Sequence, residues 1–317
     1  MKRTISFAFI VILLVMTSCS NMEKGNIENV GLLVEGTIHD QTWGKKGYLG
    51  LLNIKEELDV NVYFKEGVNN QQEVNEAVDA LAQKDVNLIF GHSSSYGEFF
   101  SNIYRDYPDI QFVYFNGDKY RENLTSLNFN SNAMGFFAGM VAAQMSKTDH
   151  VGVISSFEWQ PEVGGFYEGA KYQNPNAKVE IRYVNSWDNQ ERALEMYDQL
   201  KEKGVDVFYP AGDGFNVPII NKIKQDGLYA IGYISDQISL GESTILTSTV
   251  QHVDHLYLVV AERMQEGTFQ PGILQFDFQD GVISMGTFSE VVPEDVKEEI
   301  MNAVDRYIQT GKLPNEK

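Results

Sequence analysis

The sequence predicts an α/β protein made of two similar Rossmann-like lobes. From residue 29 onward, short apolar runs alternate with segments of helical periodicity. This alternation is typical of parallel sheets whose two faces are covered by helices. The strand pattern restarts at Val151, and a shift of 119 residues superposes Asn70 on Asn189 and Leu81 on Leu200. An internal repeat of this kind indicates two lobes rather than one long sheet, the alternative being that any two βα units look alike.

The elements of the first lobe follow from these patterns. Helical spacing of Val74, Ala77, Val78 and Leu81 gives one apolar stripe and predicts a helix there. Buried strands are predicted at residues 30–34, 62–64, 87–90 and 112–115, and helices at 48–58, 72–82 and 96–104.

The second lobe repeats the order and is followed by a mixed tail. Strands are predicted at residues 151–154 and from 181 onward, then at 273–278 and 282–285, with helices at 253–264 and 293–308. We assign residues 29–146 to lobe 1 and residues 147–249 to lobe 2, with residues 250–317 shared between them. The chain is therefore expected to cross between the lobes more than once.

The amino terminus resembles the signal of a bacterial lipoprotein. Lys2 and Arg3 precede 12 residues, 5–16, that are apolar except for one serine. This run is too short for a membrane span, which takes ~20 residues, but suits a secretory signal. Met16-Thr17-Ser18-Cys19 resembles a lipobox, in which Cys19 is acylated. We predict a signal peptide at 1–18, a lipidated tether at 19–28 and a location on the outer face of the cell membrane; the alternative is a buried free cysteine.

Composition excludes several classes of partner. The chain has 25 Lys+Arg against 44 Asp+Glu, a net charge of −19. Removal of residues 1–18 takes away two basic residues and leaves −21, from 23 basic and 44 acidic side chains. Direct nucleic-acid contact and binding to anionic lipid both need clustered Lys and Arg, so neither is expected. The single cysteine also rules out an internal disulfide.

Catalytic and metal-binding motifs are not found in the sequence. There is no GxSxG elbow, no P-loop and no GxGxxG after the first strand, so an enzyme is not expected. His252 and His255 stand at i, i+3 with Asp254 between them, but the HExxH pattern is missing. We predict neither a metal nor a cofactor.

Loops that follow predicted strands hold the candidate ligand contacts, because open α/β sheets bind ligands at the carboxyl ends of their strands. Trp43 and Trp159 are candidates for an aromatic clamp, or each caps the core of its lobe. Ser93 follows a strand and offers a hydroxyl, or belongs to an ordinary N-cap. Gly212, in the loop 210–216, would let a ligand approach the backbone.

Several ordered segments resemble the basic membrane protein family of bacterial lipoproteins. They are a loop with an acidic residue, glycines and Asp40 at 34–44, a Gly-Phe-Phe-Ala-Gly run within 128–139, a Gly-Phe-x-x-Gly helix at 165–170, and short segments within 229–248. The resemblance extends in order from about residue 29 to residue 312.

This resemblance implies a type I periplasmic-binding-protein fold, in which two lobes joined by a hinge close on a small-molecule ligand such as a purine nucleoside. It also implies a membrane partner, either a permease or a signalling protein. Within the family the chain looks closest to a regulator of competence development, which implies a regulatory receptor acting without direct DNA contact. The alternative is the solute-binding subunit of a nucleoside importer.

The family's ligand site carries over in the first lobe. Asp40 occupies the position of the loop aspartate, and Trp43 stands where the family has a stacking phenylalanine. Glu35 replaces an aspartate in the preceding loop. Asn116, with Asp118 close by, follows the fourth strand, where the family usually has an aspartate.

The second lobe departs from the family pattern. Of the two aspartates after Ile-Gly-Val, the first, expected to hold ribose, is Ile234, and the second is Asp236. The family lysine after Leu-Thr-Ser is Gln251. Since isoleucine cannot accept a hydroxyl proton, the resemblance supports the fold more strongly than nucleoside specificity.

Overall fold

The computed structural model describes residues 27–39 and 43–316, which form two sheets of six strands each. The strands are β1 (Asn29–Leu33), β2 (Asn61–Lys65), β3 (Leu88–Gly91), β4 (Gln111–Phe115), β5 (Leu124–Phe129), β6 (His150–Ser155), β7 (Lys178–Tyr183), β8 (Val207–Ala211), β9 (Tyr229–Gly232), β10 (Ile245–Gln251), β11 (Ile273–Phe276) and β12 (Ile283–Met285). The helices are α1 (Trp43–Leu58), α2 (Gln71–Ala82), α3 (Tyr96–Ile103), α4 (Ser131–Met145), α5 (Pro161–Gln173), α6 (Gln190–Glu202), α7 (Asn216–Gln225), α8 (Val253–Gln265) and α9 (Glu294–Thr310).

The two sheets have matching strand orders, β11-β5-β4-β3-β1-β2 and β12-β10-β9-β8-β6-β7. Neighbouring strands are parallel except for β10 and β12. The predicted α/β class with two Rossmann-like lobes is therefore confirmed. The predicted signal peptide at 1–18, the predicted acylation site Cys19 and most of the predicted tether at 19–28 lie outside the described residues. Ile27 and Glu28 correct the predicted end of the tether, because Ile27 is 3% exposed and the Glu28 carbonyl accepts a hydrogen bond from Asn61 N.

The internal repeat reflects equivalent packing in the two lobes. Gly31 in β1 lies where a Cβ would be 2.8 Å from Leu81, and Gly152 in β6 lies where a Cβ would be 3.2 Å from Leu200. The side chain of Asn70 caps α2 by accepting from Glu73 N. The side chain of Asn189 caps α6 in the same way, by accepting from Arg192 N. The repeat thus preserves the helix caps and the places where helices press onto the sheets.

Three segments cross between the lobes and bond to one another. They lie between β5 and α4, between β10 and α8, and between β11 and β12. Asn130 N, in the first segment, donates to Phe276 O at 2.8 Å, and His252 N, in the second, donates to Val282 O at 2.8 Å. The predicted repeated crossing is confirmed. The two bonds connect the first and second segments to the end of β11 and to the third segment.

Helices α4 and α5 touch backbone to backbone through four glycines. A Cβ at Gly135 or Gly139 would lie 2.0–2.1 Å from a carbonyl oxygen of α5, and one at Gly165 or Gly169 would lie 1.8–1.9 Å from a carbonyl oxygen of α4. Helix α4 also packs on β8 and β10 of the second sheet. It therefore belongs to the second lobe, and the predicted boundary of lobe 1 at residue 146 falls about one helix too late.

Helix α1 begins at Trp43, five residues before the predicted start. Its early turns hold Gly44, Gly47 and Gly50, all buried, so the sequence shows no apolar stripe there. A Cβ at Gly47 would lie 2.8 Å from the ring of His92. The buried face of these turns is bare backbone, which hydrophobic periodicity does not detect.

Adjacent glycines of α5 provide a test of the α4–α5 contact. Gly165→Ala would place a methyl group 1.9 Å from the Asn132 carbonyl oxygen, which forces the helices apart. It should lower the free energy of unfolding by at least ~1–3 kcal/mol, the usual cost of overpacking. In Gly164→Ala the nearest atom is 4.0 Å away, so this control should be neutral or stabilising by up to ~1 kcal/mol. Urea unfolding measures both, and equal effects would contradict the contact.

Candidate ligand-binding cleft

A cavity of about 620 Å³ lies between the lobes at the carboxyl ends of the strands of both sheets. This volume is within the range of small-molecule sites. The first lobe contributes Val34, Glu35, Gly36, Thr37, Trp43, Gly44, His92, Ser93, Ser94, Asn116, Gly117, Asn128, Phe129 and Gln275. The second lobe contributes Ser131, Trp159, Gln160, Pro161, Glu162, Trp187, Asp213, Tyr233, Ile234 and Gln251.

The indole of Trp43 is fixed on the first-lobe wall by His92. The two rings stack at 4.6 Å with an interplanar angle of 15°. Trp43 Nε1 donates to the His92 carbonyl at 3.1 Å, and His92 Nε2 lies 2.6 Å from the Trp43 carbonyl. The ring is therefore held by a stacking contact and two reciprocal hydrogen bonds, which orients it before any ligand arrives.

The tautomer of His92 follows from its partners. A carbonyl only accepts, so Nε2 carries the proton given to Trp43 O. In the neutral ring, Nδ1 then accepts from the hydroxyl of Tyr257, at 2.8 Å. The Tyr257 ring is buried between Phe90 and Phe115, which it stacks on at 4.1 and 5.3 Å. The cleft tryptophan thus rests on a rigid aromatic core.

Five predicted site residues line the cavity: Glu35, Trp43, Ser93, Asn116 and Trp159. Ser95 Oγ donates to a carboxylate oxygen of Glu35 and lies 3.0 Å from Ser93 Oγ. The serines therefore orient the Glu35 carboxylate, and the side chain of Ser95 does not cap α3.

Three other predicted site residues do not line this cavity. Asp236 faces away, since its carboxylate accepts from Thr287 N at 2.9 Å and so holds a loop in place. The absence of a side chain at Gly212 makes room for the ring of Phe215, since a Cβ at residue 212 would lie 2.0 Å from that ring. Asp118 is exposed and does not line the cavity. Asp40 lies outside the described residues.

Trp159 belongs to an aromatic group at the rim of the second lobe. Its ring is 66% exposed, stacks on Phe157 at 5.6 Å and meets Trp187 edge-on at 5.9 Å. Trp187 also lines the cavity but was not predicted, because it lies in an irregular loop after β7 with no periodic pattern. The two lobes thus both present tryptophan to the cleft, and the side chain is half-buried in the first lobe and exposed in the second.

Glu162 is a buried carboxyl group of the cleft that sequence reasoning missed. It is 4% exposed and lies in the first turn of α5. Gln160 Nε2 and Tyr233 OH both donate to its Oε1, at 2.8 and 2.9 Å. Burial raises the pKa of Glu162, and hydrogen bonds from its own backbone, Gln160 and Tyr233 oppose that effect. A proline followed by glutamate at a helix start was the only sequence signal.

Ile234 adopts a left-handed backbone, with φ of 64°, which is strained for a β-branched residue. Its carbonyl accepts from Gln251 N at 2.9 Å and from Lys46 Nζ at 2.8 Å. Lys46 Nζ also donates to Gln251 O at 2.6 Å. Since Lys46 lies on α1, this ammonium joins the first lobe to the second at the position where the family has its lysine.

The burial of Lys46 at this inter-lobe contact changes its pKa. Burial lowers its pKa to about 8, although the charges of Asp254 and Asp213 act in the opposite direction. The ammonium loses hydration when it donates to backbone carbonyls of the other lobe, and this loss disfavours its charged form.

Among the described residues that line the cavity, three are acidic and none is lysine or arginine. The acidic ones are Glu35, Glu162 and Asp213. A ligand carrying a phosphate or carboxylate would meet like charges there, which costs free energy in a partly desolvated site.

Two further observations concern residues 27–39 and 43–316. No helix in these ranges is long and apolar enough to cross a bilayer. No three His, Cys, Asp or Glu side chains in them are grouped so as to hold a metal ion. His252 Nε2 instead lies 2.8 Å from Ser284 Oγ, within the hinge, and burial lowers its pKa.

Lys46→Met should reveal the lowered pKa as a pH dependence of stability. Between pH 8 and 10.5 the unfolded chain keeps the lysine proton while the folded chain releases it, so unfolding free energy rises with pH in that window. The stability of the parent relative to Lys46→Met should therefore increase from pH 8 to 10.5, measured by urea unfolding. Exposed Lys55→Met, on the same helix, controls for removal of one positive charge. A flat or falling difference for Lys46→Met would contradict the assignment.

Comparison with known proteins identifies the family. The family described as "Bmp: ABC transporter substrate-binding protein PnrA-like" matches residues 27–317. The transcriptional activator protein med of Bacillus subtilis is 49% identical over 304 residues, covering 96% of each chain. A purine-binding protein of Brucella abortus is 26% identical over 257 residues, covering 80% of this chain and 72% of the relative.

A solved structure agrees with both the sequence match and the fold. The crystal structure of a transcriptional activator of the comK gene from Bacillus halodurans has 53% identity and a TM-score of 0.86, covering 90% of this chain and 99% of that one. The predicted similarity to a regulatory member and the periplasmic-binding-protein fold are thus confirmed. The chain belongs to the Bmp family of PnrA-like substrate-binding proteins of ABC transporters.

Proposed function

We propose that this protein is a lipid-anchored extracytoplasmic receptor for a small, uncharged, nucleoside-like ligand, with a regulatory role. The observation that carries the proposal is the cleft between the lobes, with Trp43 held against His92 on one wall and hydrogen-bonding side chains on the other. A base stacked on an aromatic face gains ~1–3 kcal/mol. The name of the purine-binding Brucella relative supports the same ligand class.

The charge of the cleft narrows the ligand to uncharged compounds. Glu35, Glu162 and Asp213 offer acceptors for hydroxyl and N–H groups, and carboxylate acceptors make stronger hydrogen bonds than neutral ones. The same groups repel phosphate. A free nucleoside therefore suits the cleft better than a nucleotide.

The regulatory role rests on the two activator relatives, with their 49% and 53% identity. A signal peptide with acylated Cys19 would place the protein outside the cytoplasm. Its net charge of −19 also disfavours contact with DNA. The proposed route is indirect, through a membrane signalling partner that distinguishes the open and closed lobes.

A second candidate function is the solute-binding subunit of a nucleoside importer. The family description as a substrate-binding protein of an ABC transporter favours it. In this case the partner of the closed lobes would be a permease.

Titration calorimetry tests the ligand class. Adenosine, guanosine and inosine form the panel, and at least one should bind more tightly than its 5′-monophosphate by tenfold or more, because the cleft is acidic. Trp43→Ala should weaken binding at least tenfold, whereas Trp43→Phe, which keeps a stacking face, should retain most of the affinity. Failure of every nucleoside to bind, or tighter binding of the monophosphate, would refute the proposed ligand class.

Deletion of the gene separates the two roles. For a regulatory receptor, uptake of radiolabelled nucleoside by the deletion strain should equal that of the parent strain, while expression of competence genes falls. A complemented strain is the control. Loss of uptake with unchanged competence expression would favour the importer subunit instead.

A further inference from the structure

In the second lobe, one carboxyl group in the wall of the cleft is buried without an ion pair among the described residues. Glu162 is 4% exposed, lines the cleft and takes part in none of the ion pairs among residues 27–39 and 43–316. Burying a carboxyl group without a cation is costly. A glutamine of the same shape would accept the same two hydrogen bonds, so the fold by itself does not call for a carboxyl group here.

Two neighbouring side chains orient Glu162 by donating to the same carboxyl oxygen. The amide of Gln160 is fixed because its Oε1 accepts from Phe157 N at 2.7 Å and from Ser155 Oγ at 2.7 Å. Its Nε2 must then donate, and it does so to Glu162 Oε1 and to Ala211 O. Tyr233 OH donates to the same Oε1. Both side-chain donors thus converge on one oxygen, which leaves Oε2 without a side-chain donor in the described part of the chain.

The side chains behind Glu162 are buried and held by ring contacts and a hydrogen bond. Tyr209 is fully buried, stacks on Phe166 at 5.5 Å and meets Tyr233 edge-on at 5.9 Å. Its hydroxyl lies 3.0 Å from Thr249 Oγ1. A carboxyl group held from behind in this way keeps its orientation without a ligand, which lowers the entropic cost of binding.

Glu162 also lies beside the position where the family carboxylate is missing. Ile234 stands in place of the family aspartate, lines the same cavity and follows Tyr233, the residue that donates to Glu162. The helix start in α5 thus supplies a carboxyl group next to the point where the loop after β9 no longer has one.

We propose that Glu162 is the residue by which the second lobe recognises the ligand, accepting a hydrogen bond at Oε2 from a hydroxyl or N–H group of an uncharged nucleoside-like molecule. This inference rests on the proposed function for the ligand class, but its placement rests on the contacts of Glu162 alone. Gln160 and Tyr233 act as positioning residues, since they contact the carboxyl group from behind.

The test compares Glu162→Gln with Glu168→Gln, which removes an exposed carboxylate from the same helix. Glu162→Gln keeps the acceptor for Gln160 and Tyr233 but replaces Oε2 by an NH₂ group. Calorimetry with adenosine, guanosine and inosine should show at least a tenfold loss of affinity for Glu162→Gln and none for Glu168→Gln. Thermal unfolding should give a Tm for Glu162→Gln equal to or above that of the parent, because a costly buried acid is gone.

Two results would overturn the inference: unchanged nucleoside affinity in Glu162→Gln, or a Tm several degrees below that of the parent, which would mark a structural role. If the parent protein binds none of the three nucleosides, the proposed ligand class fails by itself. The Tm then decides the role of Glu162. A raised Tm supports a carboxyl group kept for a ligand of other chemistry, and a lowered Tm rejects it.

Discussion

The absence of side chains at one helix crossing determines how the second lobe presents its half of the cleft. Because α4 and α5 touch through bare backbone, the first turn of α5 lies directly on α4, with Glu162 O only 2.0 Å from the point where Gly135 would carry a Cβ. Any larger residue would move the helix start that holds Glu162. The first lobe has a similar contact, in which the ring of His92 packs on the bare backbone of Gly47 and supports Trp43. Close approaches to bare helix backbone therefore shape both walls of the cleft.

The two lobes share their scaffold but differ in the chemistry of their walls. The repeat preserves helix caps and glycines that press onto the sheets, as at Gly31 and Gly152. In the cleft, the first lobe offers a fixed indole, while the second offers a carboxyl group held by Gln160 and Tyr233. A ligand that contacts both the indole of the first lobe and the carboxyl group of the second favours the closed arrangement of the lobes.

Several features of the cleft lower the stability of the folded chain. Ile234 has a strained backbone, Lys46 carries a lowered pKa, and Glu162 is a buried acid. All three lie at the junction of the lobes, where the strained carbonyl of Ile234 accepts the hydrogen bond of Lys46. Strained backbone and buried charged groups that cluster in one place are typical of binding sites, where function rather than stability has been selected.

The sequence by itself determined the fold class and the repeat, because strands and helix stripes are local patterns of period two or 3.6. The resemblance of ordered segments to a known family indicated the family, and together with the strand ends it pointed to five residues that line the cleft. It did not show that Asp236, which looks like a ligand group in the motif, accepts a hydrogen bond from Thr287 N. It did not reveal Glu162 or Trp187. It also did not show the start of α1, because the buried positions of its first turns are glycines and form no apolar stripe. Only the tertiary structure decided these points, since burial and the partner of a polar group depend on residues distant in the chain. Gln160, Glu162 and Tyr233 form one unit only because α5 and the loop after β9 meet in space.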